Sequence, residues 1–324
     1  MTHSLTRRQV ALLSAGAACA LARPVSARQV LAGLPSFPIR SPDHLPGDSF
    51  HVRHGFACEN TWFQPGWLHT GEDWYAIEDA ETGGADVIAV SAGTVVFAGS
   101  DYPGRVVILK HDGDLYSMYG HLEFDLAVAD GDEVTPGQRL GSVLTQVDRV
   151  APSHLHFEMR RFLFAADVNG DAPRYDVDCG VQCAPGPGYW PIDAPEHPAA
   201  IGWRNPTHQI AALASAGELP RGARTSVSRS GDGREIECRT QPDAATGDTL
   251  LTLQLVAGNI YPLLEVRGGD PASTGTSAEA YDLWFRIGLE DGADAWVSAI
   301  ETSSRDTGSD GKPSGIDFLF VLAV

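Results

Sequence analysis

The sequence predicts an all-β protein, with a large antiparallel sheet domain followed by a small C-terminal β-barrel. Residues 66–162 consist of short apolar runs separated by turn signals about every 8–12 residues, which is typical of an all-β fold. Asp112-Gly113 stands between two such runs and predicts a hairpin. Helical periodicity is almost absent before residue 207, and residues 211–217 predict the end of a short helix.

Composition limits the classes of partner. The chain has 324 residues, enough for two domains, and 43% of them are hydrophobic, enough for a sizeable core. No apolar run reaches the roughly 20 residues that span a bilayer. The formal net charge of -19 argues against nucleic acid or an anionic membrane surface as a partner.

The first 27 residues are typical of an export signal. Thr6-Arg7-Arg8-Gln9-Val10 precedes an Ala/Leu-rich stretch, and Val25-Ser26-Ala27 is a small-residue cleavage site. The paired arginines indicate the twin-arginine route, with an ordinary secretory signal as the alternative. We therefore expect an exported protein, either periplasmic or secreted.

Three short polar motifs carry the chemistry: His69-Thr-Gly-Glu-Asp73, Tyr119-Gly-His121-Leu and Ser153-His154-Leu-His156-Phe-Glu158. Imidazole and carboxylate are ligands of tetrahedral zinc, and a catalytic zinc uses three protein ligands and leaves a fourth position for water. Each motif alone is common in polar loops. The three together predict a catalytic zinc site.

The spacing within the motifs predicts their local structure. Polar and apolar residues alternate over 154–158, so on a strand both imidazoles and Glu158 would share one face, and the apolar residues would face the core. By the same rule, Tyr119 and His121 share a face. Gly71 predicts a bend, not a helix, in the first motif.

The motifs and the stretch between them resemble the lysostaphin-type zinc metallopeptidases, which cut peptide cross-links in bacterial peptidoglycan. The resemblance covers roughly residues 66–162. Within it, residues 87–99 are similar to the family's paired strands and 131–141 to its turn–strand–turn. Asn205-Pro206 resembles the family's closing segment. The fold implied is an antiparallel β-sheet catalytic domain of the duplicated hybrid motif type.

The resemblance implies a role for each polar residue of the motifs. The implied zinc ligands are His69, Asp73 and His156. The implied handlers of the attacking water and the developing oxyanion are His121 and His154, and the sequence does not say which does which. Tyr119 and Glu158 are expected to orient the ligands, with a plain surface carboxylate as the alternative for Glu158.

The chain departs from the family pattern in two places. The usual Ser-Thr-Gly before the last motif is replaced by Val150-Ala-Pro-Ser153, which bears on substrate preference and not on the chemistry. Residues 163–203 form an insertion with Asp167, Asn169, Asp171 and Asp178 at positions 1, 3, 5 and 12 of a calcium loop. Ala172 replaces the usual glycine, so a solvated acidic loop is the alternative to a Ca²⁺ site.

Four cysteines follow the predicted cleavage site, and an even count in an exported protein favours disulfides. Four cysteines allow three pairings. Cys179 and Cys183 flank a short loop and could close on each other. Cys58 and Cys238 would then tie the N-terminal domain to the tail.

The tail carries a second resemblance, to bacterial Src-homology-3-like domains. It rests on Cys238-Arg-Thr-Gln-Pro242, Leu255-Val-Ala-Gly258 and residues 284–298, which begin Trp-Phe-Arg-Ile-Gly and end Ala-Trp-Val-Ser. Such a domain would bind peptidoglycan or peptide, or would only pack against the enzyme. The expected division is an export signal at 1–27, a metallopeptidase domain at 28–217 and an Src-homology-3-like domain at 218–324.

These observations predict an exported zinc metalloendopeptidase that hydrolyses peptide stems or cross-links of peptidoglycan. One alternative is a non-catalytic binding or regulatory protein on the same fold. Its usual signature is the loss of a ligand, whereas all five implied positions are intact here. A second alternative is a secreted protease that acts on protein substrates.

Overall fold

The structure is a computed structural model that describes residues 33–77, 81–99, 104–146, 152–170, 173–175, 188–274, 280–290, 292–307 and 312–323. The predicted export signal lies outside the described residues. Within them, no helix is both long enough and apolar enough to cross a membrane.

Strands dominate the described chain, which confirms the all-β antiparallel prediction. In the first half of the chain the strands are β1 Ile39–Arg40, β2 Phe50–His54, β3 Glu59–Asn60, β4 Gln64–His69, β5 Glu72–Ala76, β6 Asp86–Ile88, β7 Gly93–Gly99, β8 Arg105–Lys110, β9 Tyr116–Leu122, β10 Glu133–Val134, β11 Arg139–Ser142 and β12 Leu155–Arg160. In the second half they are β13 Tyr189–Pro191, β14 Trp203–Arg204, β15 Arg224–Val227, β16 Glu235–Arg239, β17 Thr249–Gln254, β18 Ile260–Gly268, β19 Leu283–Gly288, β20 Asp294–Ser298, β21 Ile300–Thr307, β22 Pro313–Phe318 and β23 Phe320–Ala323.

Helices are short and few among the described residues. They are α1 Ala166–Asn169, α2 Pro198–Ile201 and α3 Pro206–Ser215. The Asn205 side chain accepts a hydrogen bond from the His208 N–H and caps α3, and Pro206 occupies its first turn. The helix therefore begins earlier than the segment predicted from the sequence, because this cap and proline fix its start.

A ten-stranded sheet carries Asp73, His121 and His156. Its strands follow the order β10-β7-β8-β9-β12-β5-β2-β22-β21, and β14 pairs with β12 off this path. β8 and β9 form the hairpin predicted at Asp112-Gly113. β8 reads Arg-Val-Val-Ile-Leu-Lys, a β-branched and apolar run that suits a strand buried on both faces. The core beneath the sheet includes Trp74, whose ring stacks on that of Phe318 with centroids 4.7 Å apart.

Three smaller sheets complete the described structure. β1-β6-β11 and β13-β4-β3 are three-stranded, and the seven-stranded sheet runs β17-β16-β20-β19-β18-β15-β23. The seven-stranded sheet comes entirely from the tail.

Two strands of the tail belong to the ten-stranded sheet. β22 pairs with β2, with His51 opposite Asp317, and β21 pairs with β22. The strand pairing thus crosses the boundary predicted between residues 217 and 218. The division into two domains stays a prediction, and any such domains share one hydrogen-bonded sheet.

The predicted disulfide between Cys58 and Cys238 is wrong. Neither cysteine is in a disulfide, and both side chains are buried. Cys58 Sγ lies 3.6 Å from the carbonyl oxygen of Phe56, and Cys238 lies within β16. An even cysteine count says nothing about whether two strands approach, and here each thiol packs as a small apolar group. Cys179 and Cys183 lie outside the described residues.

Candidate metal centre

Three neighbouring strands supply the residues at the centre. His69 ends β4, Asp73 lies in β5 and His156 lies in β12, where it is the register partner of Asp73. The chain bends between β4 and β5, as the sequence predicted. A Cβ on Gly71 would lie 2.4 Å from the Phe157 carbonyl oxygen, so only glycine lets this bend pass so close to β12.

The side chains of His69, Asp73 and His156 converge on one point. The Nε2 atom of His69 lies 3.0 Å from Nδ1 of His156 and 3.3 Å from Oδ1 of Asp73. Nδ1 of His156 lies 3.1 Å from the same oxygen. Ligands about 2.1 Å from a tetrahedral zinc lie about 3.4 Å apart, so this triangle is close to the size that zinc requires.

The outer nitrogens of both imidazoles are already committed as donors. Nδ1 of His69 donates to the His54 carbonyl oxygen at 3.2 Å, and Nε2 of His156 donates to Glu158 Oε1 at 3.2 Å. A neutral imidazole carries one N–H, so the two nitrogens that face each other carry lone pairs. Two lone pairs and a carboxylate oxygen within 3.3 Å fit a cation.

The pKa shifts of Asp73 and His156 also indicate a site that suits a cation. Burial opposes ionisation of Asp73, but the imidazoles of His69 and His154 and hydrogen bonds from His156 outweigh it and hold the Asp73 pKa well below its usual range. Burial also opposes a charged His156, yet Asp73 and Glu158 raise its pKa to about 9. The negative charge around His156 would equally favour a bound cation, which takes the place of a proton on the ligand nitrogen.

Glu158 contacts His156 through a hydrogen bond. Its carboxylate is fully buried and accepts from Thr70 Oγ1 at 2.6 Å, in addition to His156. Its second oxygen accepts from Arg160 Nη1 and Trp203 Nε1, both at 3.2 Å. These donors hold the carboxylate in place, so it can orient the His156 ring. The plain surface alternative for Glu158 is wrong, since its exposure is 0%.

His154 and His121 lie beside the cluster and face each other. Their ring centroids are 4.4 Å apart, and the His121 centroid is 6.1 Å from that of His156. His154 Nδ1 donates to the Pro152 carbonyl oxygen at 2.8 Å, and its Nε2 lies 3.8 Å from Asp73 Oδ1. Nε2 of His154 is therefore the nitrogen that faces the cluster.

A known protein family matches the segment that carries these residues. Residues 68–172 match Peptidase family M23. The resemblance predicted from the motifs is confirmed for this segment, which contains every implied zinc ligand. The tail's resemblance to Src-homology-3-like domains stays a prediction.

Individual relatives match parts of the chain. The lipoprotein NlpD/LppB homologue of Pseudomonas aeruginosa is 44% identical over 81 residues, 24% of this chain and 26% of that protein. The chain thus matches about a quarter of that relative's length. The structure of the antimicrobial peptidase lysostaphin from Staphylococcus simulans aligns over 83% of this chain and 96% of its own at 17% identity and a TM-score of 0.33. Helicobacter pylori Csd3 aligns over 41% and 32% at 26% identity and a TM-score of 0.28.

The Tyr119 side chain packs in the core, so its predicted role in orienting the metal ligands gains no support from its contacts. Its hydroxyl accepts from the Val90 N–H at 2.9 Å, and its ring packs in the core, 5.2 Å from that of Phe157. Between the pairs Val107–Tyr119 and Arg105–Leu122, β9 carries one more residue than β8. His121 adopts φ 60° at this irregularity, so the alternation fails and Tyr119 and His121 leave the strand on different faces.

The end of the insertion at residues 163–203 packs beside the candidate metal centre. β13 pairs with β4, and Tyr189 is the register partner of His69, with their ring centroids 5.4 Å apart. A Cβ on Gly188 would lie 3.8 Å from His156 Cε1. The described end of the insertion therefore forms one wall of the centre.

The described residues of the insertion give no support to the predicted Ca²⁺ site. Asp167 and Asn169 lie on α1, where the Asn169 side chain binds the backbone of Ala165 and Leu163 at 2.9 Å each. Asp167 lies 3.7 Å from the guanidinium of Arg174. The other two predicted ligands, Asp171 and Asp178, lie outside the described residues.

Glu72 is the buried acid of the M23 segment that the sequence reasoning assigned no role. It precedes Asp73, and its Oε1 accepts from Thr207 N at 3.1 Å, Thr207 Oγ1 at 2.7 Å and Tyr281 Oη at 3.0 Å. Burial raises its pKa to about 7 despite these bonds. Its place inside the first motif was the available signal, but nothing in the sequence identified its partners.

Proposed function

We propose that this chain is an exported zinc metalloendopeptidase that hydrolyses peptide stems or cross-links of bacterial peptidoglycan. The convergence of His69, Asp73 and His156 within 3.0–3.3 Å, inside a segment that matches Peptidase family M23, carries the proposal. The paired-arginine motif at residues 6–10 and the small residues at 25–27 support export.

The three converging residues would hold the zinc ion. When bound, zinc acts as a Lewis acid that polarises a peptide carbonyl and makes water more acidic. The protein's contribution is to keep both imidazoles in the right tautomer, through the His54 carbonyl for His69 and through Glu158 for His156.

His154 and His121 would handle the protons. Because His154 Nδ1 donates to the Pro152 carbonyl, its Nε2 carries the lone pair on the side of the cluster. We assign to this atom the removal of a proton from the attacking water, followed by its delivery to the departing amine. His121, whose ring lies 4.4 Å from that of His154, would donate a hydrogen bond to the carbonyl oxygen as negative charge develops.

The substrate would lie across the ends of β5, β9 and β12, where these side chains meet. The insertion wall at Gly188 and Tyr189 bounds one side of this region. A peptide stem is an extended, single chain, and a site between strand ends and a wall suits such a shape.

Purified sacculi test the proposal directly. The full chain should release new amino groups from sacculi, and mass spectrometry of the products should identify a cleaved peptide bond. A chelator should stop the release, and Zn²⁺ should restore it. A zinc-loaded protein that sediments with sacculi but releases nothing would instead be a binding or regulatory protein. Cleavage of casein but not of sacculi would identify a general secreted protease.

A further inference from the structure

Arg53 occupies an irregular position in β2, next to the metal centre. His51 pairs with Tyr75 and Val52 pairs with Trp74, but the next pair is His54 with Asp73. Arg53 is thus the extra residue of a bulge, with no register partner of its own. Bulges beside functional sites commonly redirect a side chain, and this one places Arg53 over the ring of Tyr75.

Two aromatic rings hold the Arg53 guanidinium. Its Cζ atom lies 5.0 Å from the Trp62 centroid and 5.6 Å from the Tyr75 centroid. Tyr75 in turn stacks on His154, with centroids 4.9 Å apart and planes inclined by 20°. One ring therefore separates the guanidinium from the histidine that we assign to proton transfer.

This arginine has no acidic partner among the described residues. No carboxylate oxygen in that part of the chain lies within 4.0 Å of its guanidinium, although the protein contains 42 acidic residues. Other arginines are paired, for example Arg174 with Glu196 at 2.8 Å and Arg286 with Asp294 at 2.8 Å. Stacking uses the faces of a guanidinium and leaves its N–H edges available.

The neighbourhood is open to solvent on one side. The Trp62 side chain is 65% exposed, and Phe63 beside it is 44% exposed, with its ring 6.2 Å from that of His54. A guanidinium without an acidic partner among the described residues, held between the exposed Trp62 ring and the buried Tyr75 ring, is suited to capture a planar anion.

We propose that Arg53 binds a free carboxylate of the substrate peptide, near the bond to be cut. The substrate class is then a peptide stem that carries an ionised carboxyl group close to the scissile bond, in contrast to one that is amidated there. Trp62 and Tyr75 hold the guanidinium ready for a two-point contact, so Lys would reproduce the charge but not the geometry. This inference rests on the proposed peptidase function.

Paired substrates test the inference. The probes are one cross-linked muropeptide with free carboxyl groups and the same compound with those groups amidated. The wild-type full chain should cleave the free form with a kcat/KM about tenfold to a hundredfold higher, the range for one charged hydrogen-bonded pair. Arg53→Gln should lose this preference, Arg53→Lys should keep part of it, and cleavage of the amidated form should change little.

A matched control is Arg267→Gln. Arg267 also lies over an aromatic ring, 5.4 Å from the Trp296 centroid, but in the seven-stranded sheet. It should keep the full preference. Equal cleavage of both forms by the wild type, or an unchanged preference in Arg53→Gln, would overturn the inference while leaving the peptidase intact.

A binding measurement separates the two proposals. If the wild type cleaves neither form, the peptidase proposal fails, and quenching of tryptophan fluorescence still reports binding near Trp62. Tighter binding of the free form that Arg53→Gln abolishes would support the carboxylate site. Equal binding of both forms would overturn it.

Discussion

Tyr281 Oη lies 3.0 Å from Glu72 Oε1, although 209 residues separate the two along the chain. The same hydroxyl accepts from the Phe56 N–H at 2.6 Å, so its own hydrogen is directed to Glu72. Both side chains are buried. Since Glu72 directly precedes Asp73 in β5, this bond connects the tail to the strand that carries a candidate metal ligand.

Tyr281→Phe should destabilise the protein by about 1–3 kcal/mol, because it leaves a buried carboxylate and a buried N–H each short of a partner. Urea unfolding of both proteins measures the difference. Tyr261→Phe is the control, since the half-buried Tyr261 packs 6.3 Å from Phe320 and should change stability by less than about 0.5 kcal/mol. Equal effects of the two substitutions would contradict the role of the Glu72 contact.

Asp73→Ala should remove zinc and with it peptide hydrolysis, while the β-sheet content stays close to that of the wild type. The carboxylate supplies the third ligand atom and the negative charge of the cluster. Elemental analysis after dialysis gives the zinc content, and circular dichroism gives the fold. Asp86→Ala, which breaks only surface ion pairs to Arg40 and Arg139, should keep its zinc. Retention of zinc by Asp73→Ala would refute the ligand assignment.

His154→Ala and His121→Ala should each retain zinc and lower kcat by about 10²–10⁴-fold, the range for a lost proton acceptor or oxyanion donor. Only these two of the five motif positions are expected to separate activity from metal content. The surface substitution His44→Ala provides the control for a lost imidazole. Loss of zinc from His154→Ala would mean that His154, not His156, is the ligand.

Glu158→Gln should weaken zinc binding by about 10–100-fold, because the amide no longer fixes the His156 ring as a carboxylate does. It should also lower the free energy of unfolding by about 3–5 kcal/mol, since the fully buried Arg160 loses its counter-charge. Competition with a zinc chelator and urea unfolding measure the two effects. Glu196→Gln removes an exposed partner of Arg174 and should do neither.

His208 should make stability fall in acid. Burial lowers its pKa from 6.5 to about 4, and its Nδ1 donates to the Asp270 carbonyl while its Nε2 accepts from the Asp282 N–H. A depressed folded-state pKa means that the unfolded chain binds the proton more readily, so stability is present above pH 6.5 and is lost as pH falls toward 4. The advantage of the wild type over His208→Gln should shrink by about 3 kcal/mol between pH 7 and pH 4. A pH-independent difference would contradict it.

The local patterns of the sequence predicted the elements that local chemistry controls. Alternation over 154–158 placed His156 and Glu158 on one side of β12, and their side chains do meet at 3.2 Å. Gly71 predicted the bend that the close approach of β12 demands. Alternation failed at His121, because its left-handed φ of 60° arises from pairing with β8 and not from the sequence of β9.

Contacts between distant segments could not be predicted from one sequence. Thr207 and Tyr281 reach Glu72 across 135 and 209 residues, and no spacing rule links such positions. The same holds for the cysteines, whose even number favoured a bond that the packing does not form. Arg53 belongs to no motif in the sequence, so its position could not be predicted. The bulge in β2 explains why it lies against Tyr75.

The pairing of β2 with β22 determines how early the ten-stranded sheet can be completed during synthesis of the chain. β2 carries Arg53 and His54, and its hydrogen-bonded neighbour at residues 313–318 is synthesised after every other strand of that sheet. The sheet around the candidate metal centre therefore cannot be completed before residue 318 has been synthesised. If the twin-arginine route applies, the finished sheet crosses the membrane whole. If the chain is threaded unfolded, β2 and β22 can pair only after both have crossed.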